Sequence, residues 1–202
     1  MGCINSTEEK ASNEINSHYQ AAARVDEEEK RLLLLGTGDG KSTIFKNLRK
    51  SKGEVIRDER TIEETANTVR SNLVHFMIKL LLKSQQLYDA DHEANKGCKL
   101  PDDDPKIVDY TRMLLKHGIA YADDFLPPDA DTEQLGEAIA YLWKIPAVQE
   151  TFQKKGDFSF PDNLDFFYNK CKIVMGKGYA PEEEDIIKAR VRTTGVYCFC
   201  SC

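Results

Sequence analysis

A lysine and two hydroxyl residues at the end of a glycine-rich stretch have the spacing of a phosphate-binding loop. The stretch Gly36-Thr37-Gly38-Asp39-Gly40-Lys41-Ser42-Thr43 follows four leucines at residues 32–35, which favour a buried strand. Strand, glycine turn and helix start, in that order, form the context of a P-loop, in which helix N-terminal amides attract an anion. We therefore expect nucleotide phosphates to bind Asp39, Gly40, Lys41, Ser42 and Thr43. Lys41 would reach the terminal phosphates, and the Ser42 hydroxyl would hold Mg²⁺.

This loop is one residue shorter than the P-loop pattern. The pattern has four residues between the first glycine and the Gly-Lys pair. Here only Thr37, Gly38 and Asp39 lie between Gly36 and Gly40. The short spacing predicts a weakened phosphate site.

The first six residues, Met1-Gly2-Cys3-Ile4-Asn5-Ser6, match a lipidation pattern. Gly2 with Ser6 fits N-myristoylation after removal of Met1, and Cys3 could take a palmitoyl chain. Stable anchoring requires two such signals, and adjacent Gly2 and Cys3 would supply both. The alternative is an ordinary disordered start that carries the motif by chance.

Composition restricts the class of protein. The 202 residues carry a net charge of −6, which argues against nucleic acid as the main partner because phosphate neutralisation needs a basic face. The apolar run at residues 73–82 is interrupted by His75 and Lys79 and is too short to span a membrane. Four of the six cysteines lie near the two ends rather than forming a disulfide framework, so we expect reduced thiols in the cytosol. The histidines show no metal-binding spacing.

Almost everything between residues 57 and 185 is patterned as helix. A long apolar face at residues 61–87 predicts one long helix, and Asp131 or Thr132 is expected to cap another. We expect Asp162 to cap a last substantial helix that Gly176 and Gly178 end, and a helix before it to stop near Gly118. The aromatic and methionine side chains in these helices are expected to be core residues: Phe76, Met77, Trp143 and Phe167.

A second motif near the end, Arg190-Val191-Arg192-Thr193-Thr194-Gly195, completes a recognisable order. The chain resembles the α subunit of heterotrimeric G proteins. That family has the Met-Gly-Cys start, the leucine strand, the loop ending Gly40-Lys41-Ser42-Thr43, an inserted helical domain and this Arg-Thr-Thr-Gly segment in the same sequence. The region leading through Tyr179-Ala180-Pro181 also resembles the family's second linker.

The resemblance implies roles for residues that the motifs alone do not explain. Arg190 would be a built-in arginine finger and the catalytic residue, stabilising charge that develops on the γ-phosphate. Thr193, in switch I, would be the second protein ligand of Mg²⁺ after Ser42. The nucleotide would also be lined by Ile187, Lys188, Ala189, Asp162 and Asn163. Without the P-loop, a solvent-exposed basic pair would be the simpler interpretation of Arg190 and Arg192.

The implied fold is mainly α: the inserted all-helical domain plus the first strand, P-loop and helix of a Ras-like α/β GTPase domain. The implied divisions are residues 1–31, a lipidated N-terminal helix; 32–55, the P-loop fragment; 56–185, the helical domain; and 186–202, switch I and a divergent cysteine-rich tail.

The resemblance also implies function, partners and location. It implies a GTP/GDP switch with GTPase activity that transduces signals from a G protein-coupled receptor to an effector. It would bind a Gβγ dimer and lie, lipid-anchored, on the cytoplasmic face of the plasma membrane. Residues 1–202 contain neither the family's Asp-x-x-Gly-Gln segment nor its Asn-Lys-x-Asp segment. We therefore expect a truncated form that binds nucleotide weakly or not at all.

Two alternatives remain open from the sequence. A non-catalytic, membrane-anchored helical module that binds Gβγ or a regulator needs no nucleotide. Another P-loop enzyme, such as a small kinase, leaves the Arg190 segment and the Gly2-Cys3 start unexplained.

Overall fold

The computed structural model describes residues 12, 14–20, 40–53, 57–101, 103–120, 126–158 and 160–189, without the side chains of residues 42 and 118–120. The chain divides into two compact units, Met1–Lys41 with Thr193–Cys202, and Ser42–Arg192. In the first unit, residues 14–20 are helical and expose Ile15 and Tyr19. The leucine strand predicted at residues 32–35 lies outside the described residues.

The described residues are mainly helical and contain no strand, which confirms the mainly α prediction. The α-helices are α1 Gly40–Ser51, α2 Glu59–Ala90, α3 Pro105–Ala120, α4 Thr132–Trp143, α5 Pro146–Gln153, α6 Leu164–Asn169, α7 Cys171–Met175 and α8 Glu183–Lys188. Two short 3₁₀ helices, Lys96–Cys98 and Lys155–Asp157, precede α3 and follow α5. No helix in the described part is long and apolar enough to cross a membrane.

Helix α2 is the central element of the second unit. Asp58 caps its first turn by accepting a hydrogen bond from the Thr61 amide at 2.8 Å. Hydrogen bonds from the amide and the hydroxyl of Thr61 lower the pKa of the Asp58 carboxyl. One face of the helix is buried along its length, including Val69, Leu73 and Leu80. Because that apolar face is continuous, α2 contacts every helix from α3 to α8.

An aromatic cluster fills the core beside α2. The Trp143 ring stacks on Tyr168 with centroids 4.6 Å apart and meets Phe152 edge-on at 5.1 Å. The Trp143 indole donates to Asn169 Oδ1 at 3.0 Å, so its polar group is satisfied where the ring is buried. Burial of Met77, Trp143 and Phe167 confirms their predicted role, and Phe76 is partly buried against the same core.

The predicted helix ends were partly wrong. Asp131 caps α4 as expected, accepting from the Gln134 amide at 3.0 Å. Asp162 caps nothing: its side chain is 91% exposed, and Asn163 occupies the N-cap position of α6 without a side-chain cap hydrogen bond. Helix α3 ends at Ala120, two residues beyond Gly118, which agrees with the expected end near Gly118.

The last predicted helix is in fact two short ones. Helix α6 ends at Asn169 and α7 begins at Cys171. The intervening Lys170 has φ −115° and ψ 22°, outside the values of a regular α-helix. Its ammonium binds the Asp185 carboxylate, a long-range interaction that the local sequence pattern does not reveal.

Candidate functional site

The predicted loop residues are described from Gly40 onward. Gly40 and Lys41 are the first residues of α1, and the Thr43 side chain is exposed. Asp39, Arg190, Thr193, Gly2 and Cys3 lie outside the described residues, as does the Ser42 side chain. The lysine and hydroxyl residues of the motif are therefore at a helix N-terminus, as predicted.

Three other predicted residues lie together at the end of α8. Ile187 and Lys188 are its last residues, and Ala189 is its C-cap, with its amide donating to the Asp185 carbonyl at 2.7 Å. The helix begins with a capping box between Glu182 and Asp185. A cap at each end fixes a helix of only six residues immediately before Arg190.

Helix α8 is held against α1 by two lysines of α1. The Lys46 ammonium donates to the Ile186 carbonyl at 2.6 Å and to the Ala189 carbonyl at 3.4 Å. One turn later, Lys50 forms an ion pair with Glu183 at 3.0 Å. Burial lowers the pKa of Lys46. The helix that carries the P-loop motif therefore contacts the segment that precedes Arg190.

Helix α6 reaches the same segment through an aromatic ring. Phe166 contacts two ammonium groups, with Lys188 Nζ 3.8 Å and Lys170 Nζ 4.1 Å from its ring centroid. Lys188 is also paired with Glu184 at 2.7 Å. Since Asp162 and Asn163 immediately precede α6, the structure connects their helix to α8 through the Phe166–Lys188 contact.

Comparison with known proteins identifies the family. The profile of the G-protein alpha subunit family matches residues 9–200. The chain belongs to this family. A guanine nucleotide-binding protein subunit alpha of Cochliobolus heterostrophus is 31% identical, and one of Cryphonectria parasitica is 30% identical. A guanine nucleotide-binding protein alpha-1 subunit of Neurospora crassa is 29% identical. Each match covers 97% of this chain, which spans 52% of the length of each relative.

Membership of the G-protein alpha subunit family confirms the resemblance drawn from the two motifs. The matched residues include both the loop at residues 36–43 and the Arg190 segment, which lie on opposite sides of the helices in the sequence. The roles of the individual site residues stay predictions, because many of them lie outside the described residues and no ligand is present.

The Mg²⁺ site expected from the sequence stays a prediction. The predicted ligands are Ser42 and Thr193, neither of whose side chains is described. Among the described residues, no group of three or more His, Cys, Asp or Glu side chains could hold a metal ion. The Mg²⁺ prediction therefore depends on the two hydroxyl residues of the motifs.

A buried acidic residue at the start of α8 was missed by the sequence reasoning. Asp185 is 2% exposed, and its carboxylate binds Lys170 and accepts from the Tyr179 hydroxyl at 2.9 Å. Burial and the neighbouring carboxylate raise the pKa of Tyr179 well above its usual value. In the run Glu182-Glu183-Glu184-Asp185 no local signal distinguishes the one buried member, Asp185, from its three exposed neighbours.

Proposed function

We propose that this chain belongs to a G protein α subunit, a switch that alternates between GTP and GDP and hydrolyses GTP, and that its glycine loop, which is one residue short, weakens nucleotide binding. The observation that carries the proposal is the family match across residues 9–200, which includes the P-loop motif and the Arg190 segment. The names of the similar fungal proteins, guanine nucleotide-binding subunits, support guanine nucleotide as the ligand.

In this proposal the phosphate chain binds at the N-terminus of α1. Asp39, Gly40, Lys41, Ser42 and Thr43 surround the phosphates, because helix amides and the Lys41 ammonium attract negative charge. Ile187, Lys188 and Ala189 line the nucleotide from the end of α8, and Asp162 with Asn163 from the start of α6. The contacts of α8 with Lys46 and Phe166 support this grouping.

Arg190 is the catalytic residue of the proposal. Its guanidinium stabilises the negative charge that develops as the γ-phosphoryl group leaves, a contribution that small GTPases obtain from a separate protein. Ser42 and Thr193 hold Mg²⁺, which neutralises charge on the phosphates when it is bound. The Thr193 segment would become ordered when the γ-phosphate is present and would be released after hydrolysis.

The test is binding of a fluorescent GTP analogue to the purified chain, with Lys41→Met compared with wild type. Loss of a phosphate-binding ammonium should weaken binding by about tenfold or more. The matched control is Lys177→Met, because Lys177 is 86% exposed and makes only a 3.8 Å pair with Glu133. Equal affinity of Lys41→Met and wild type for the GTP analogue would contradict the proposal.

We propose also that the chain is lipid-anchored on the cytoplasmic face of the plasma membrane and couples receptors to effectors with a Gβγ dimer. Gly2 and Cys3 supply the two acylation signals. In cells, Gly2→Ala should remove the chain from the membrane fraction, and Cys3→Ser should reduce its retention. Ser6→Thr, which keeps the myristoylation pattern, is the control. Unchanged membrane association of Gly2→Ala would reject the acyl anchor.

A second candidate is a non-catalytic interaction module, favoured by the two exposed apolar residues of the N-terminal helical segment. Ile15 is 58% and Tyr19 is 73% exposed, four residues apart on one helix face. Such a face suits a partner like Gβγ. Co-precipitation of Gβγ that is lost on deleting residues 1–30 and unaffected by GTP would favour this module over the switch.

A further inference from the structure

Lys46 makes an unusual contact for a lysine side chain. Its ammonium turns inward from α1 and donates to two backbone carbonyls, those of Ile186 at 2.6 Å and Ala189 at 3.4 Å. The side chain is half-buried, and burial lowers its pKa. The Lys46 ammonium exchanges part of its hydration for backbone oxygens, the first of which lies 140 residues away in the sequence. The contact therefore joins α1 to one specific point of α8.

The two acceptors explain why a cation belongs there. The last four carbonyls of a helix have no partner within it, and the helix dipole places partial negative charge at that end. In α8 the Asp185 carbonyl accepts from the Ala189 amide, whereas the Ile186 carbonyl accepts from Lys46. Lys46 therefore completes the C-cap of α8 from outside the helix, through a charge-assisted hydrogen bond.

A second contact fixes the direction of α8 along α1. Lys50 lies one turn after Lys46 and pairs with Glu183 at the other end of α8. The two helices therefore run antiparallel along this contact. The Lys50–Glu183 pair is about half exposed on both sides, so it is the weaker of the two contacts.

We propose that Lys46 is a positioning residue for Arg190. It holds the carbonyl end of α8 against α1. The backbone of Ala189, the residue before Arg190, is thereby fixed on the helix that contains Lys41. The role of Arg190 itself rests on the proposed function above. Lys46 contacts neither nucleotide nor metal in this proposal; it acts through the Ile186 and Ala189 carbonyls.

The experiment compares Lys46→Met, Lys46→Arg and Lys50→Met with wild type in the full chain. Methionine keeps the length of the side chain but removes the donors, arginine restores donors and charge, and Lys50→Met removes the neighbouring lysine. Backbone hydrogen exchange is followed by mass spectrometry in peptides that cover residues 187–195 and, as an internal reference, α4. Binding of a fluorescent GTP analogue and single-turnover GTP hydrolysis are measured on the same samples.

We expect Lys46→Met to speed exchange in residues 187–195 by about tenfold, with α4 unchanged, because one charge-assisted hydrogen bond is lost. Lys46→Arg should restore slow exchange, and Lys50→Met should change it far less. Single-turnover GTP hydrolysis should slow by a larger factor in Lys46→Met than nucleotide affinity falls, because Arg190 acts in the transition state, whereas Ile187, Lys188 and Ala189 also line the bound nucleotide.

Two results would overturn the proposal: exchange in residues 187–195 that is unchanged by Lys46→Met, or an equal increase in Lys50→Met. The proposed function fails separately, if Lys41→Met binds the GTP analogue as tightly as wild type does. The exchange measurement still decides in that case whether Lys46 fixes the segment, because it requires no ligand.

Discussion

Lys170 and Asp185 form an ion pair whose carboxylate side chain is only 3% exposed. Lys170 lies at the break between α6 and α7, and Asp185 lies in the first turn of α8. The Tyr179 hydroxyl donates to the other carboxylate oxygen at 2.9 Å, and the Glu182 amide donates to the same oxygen at 3.2 Å. Asp185 thus binds α8 to two separate parts of the helical unit.

Asp185→Asn should destabilise the chain strongly. Removing one partner of a buried ion pair leaves the other charge uncompensated, and such changes cost about 3–5 kcal/mol. Since Lys170 is 26% exposed, we expect the lower end, about 3 kcal/mol, in the free energy of unfolding by urea. Glu184→Gln is the control, because Glu184 is exposed and its pair with Lys188 should contribute only about 0.5 kcal/mol. Equal stability of the two variants would contradict a central role for Asp185.

The long, strongly patterned helices could be predicted from sequence. Helix α2 was expected at residues 61–87 and spans Glu59–Ala90, because its apolar face is continuous and Asp58 caps it. The bounds of helix α8 could not be predicted, since six residues are too few for a periodic pattern and the three residues of its first turn are acidic. Its position depends on Lys46, Lys50 and Lys170, which are far apart in the chain.

The family could be predicted from the motifs, whereas the roles of the individual site residues stay predictions. The glycine loop and the Arg190 segment each have a characteristic spacing, and their order identified the family. The Lys46 contact has no such signature, because its acceptors are backbone carbonyls, which every residue carries. The exposed position of Asp162 likewise depends on where α6 begins, and helix ends are poorly determined by local sequence.

Gly136→Ala should destabilise the packing of α4 on α7. A Cβ at position 136 would lie 2.7 Å from Met175 Cβ and 3.3 Å from Met175 Cγ. The clash should cost about 1–3 kcal/mol and outweigh the gain of about 1 kcal/mol in helix propensity. Gly156→Ala is the matched control, because nothing lies within 4 Å of its added Cβ. Thermal unfolding should show a lower Tm for Gly136→Ala and an unchanged Tm for Gly156→Ala. A higher Tm for Gly136→Ala would contradict this prediction, because it would mean that α7 moves away from the added Cβ without loss of stability.

The Cys171 thiol should make stability fall at alkaline pH. Burial raises the pKa of Cys171 to about 11 from an ordinary value of 9.0. The folded chain therefore keeps its proton where the unfolded chain loses it. The stabilisation is complete below pH 9 and is lost as the pH rises towards 11. At pH 10 the loss should be about 1.4 kcal/mol.

The measurement is urea unfolding of wild type and Cys171→Ala from pH 7 to pH 10. Other groups that titrate in this range contribute equally to both proteins, so the difference between them isolates Cys171. That difference should be constant between pH 7 and pH 8 and should shrink by pH 10, because wild type alone loses the thiol's contribution. Parallel curves over the whole range would contradict a raised pKa.

Restoring the length of the glycine loop should strengthen nucleotide binding. Inserting one serine between Asp39 and Gly40 gives the four residues that the P-loop pattern requires before Gly40-Lys41. The longer loop can place more backbone N–H groups around the phosphates, so we expect the Kd of a fluorescent GTP analogue to fall by about tenfold, which corresponds to about 1.4 kcal/mol. The same insertion in Lys41→Met is the control and should give little gain, because the ammonium is absent. Unchanged or weaker binding after the insertion would contradict the expectation that the short spacing weakens the phosphate site.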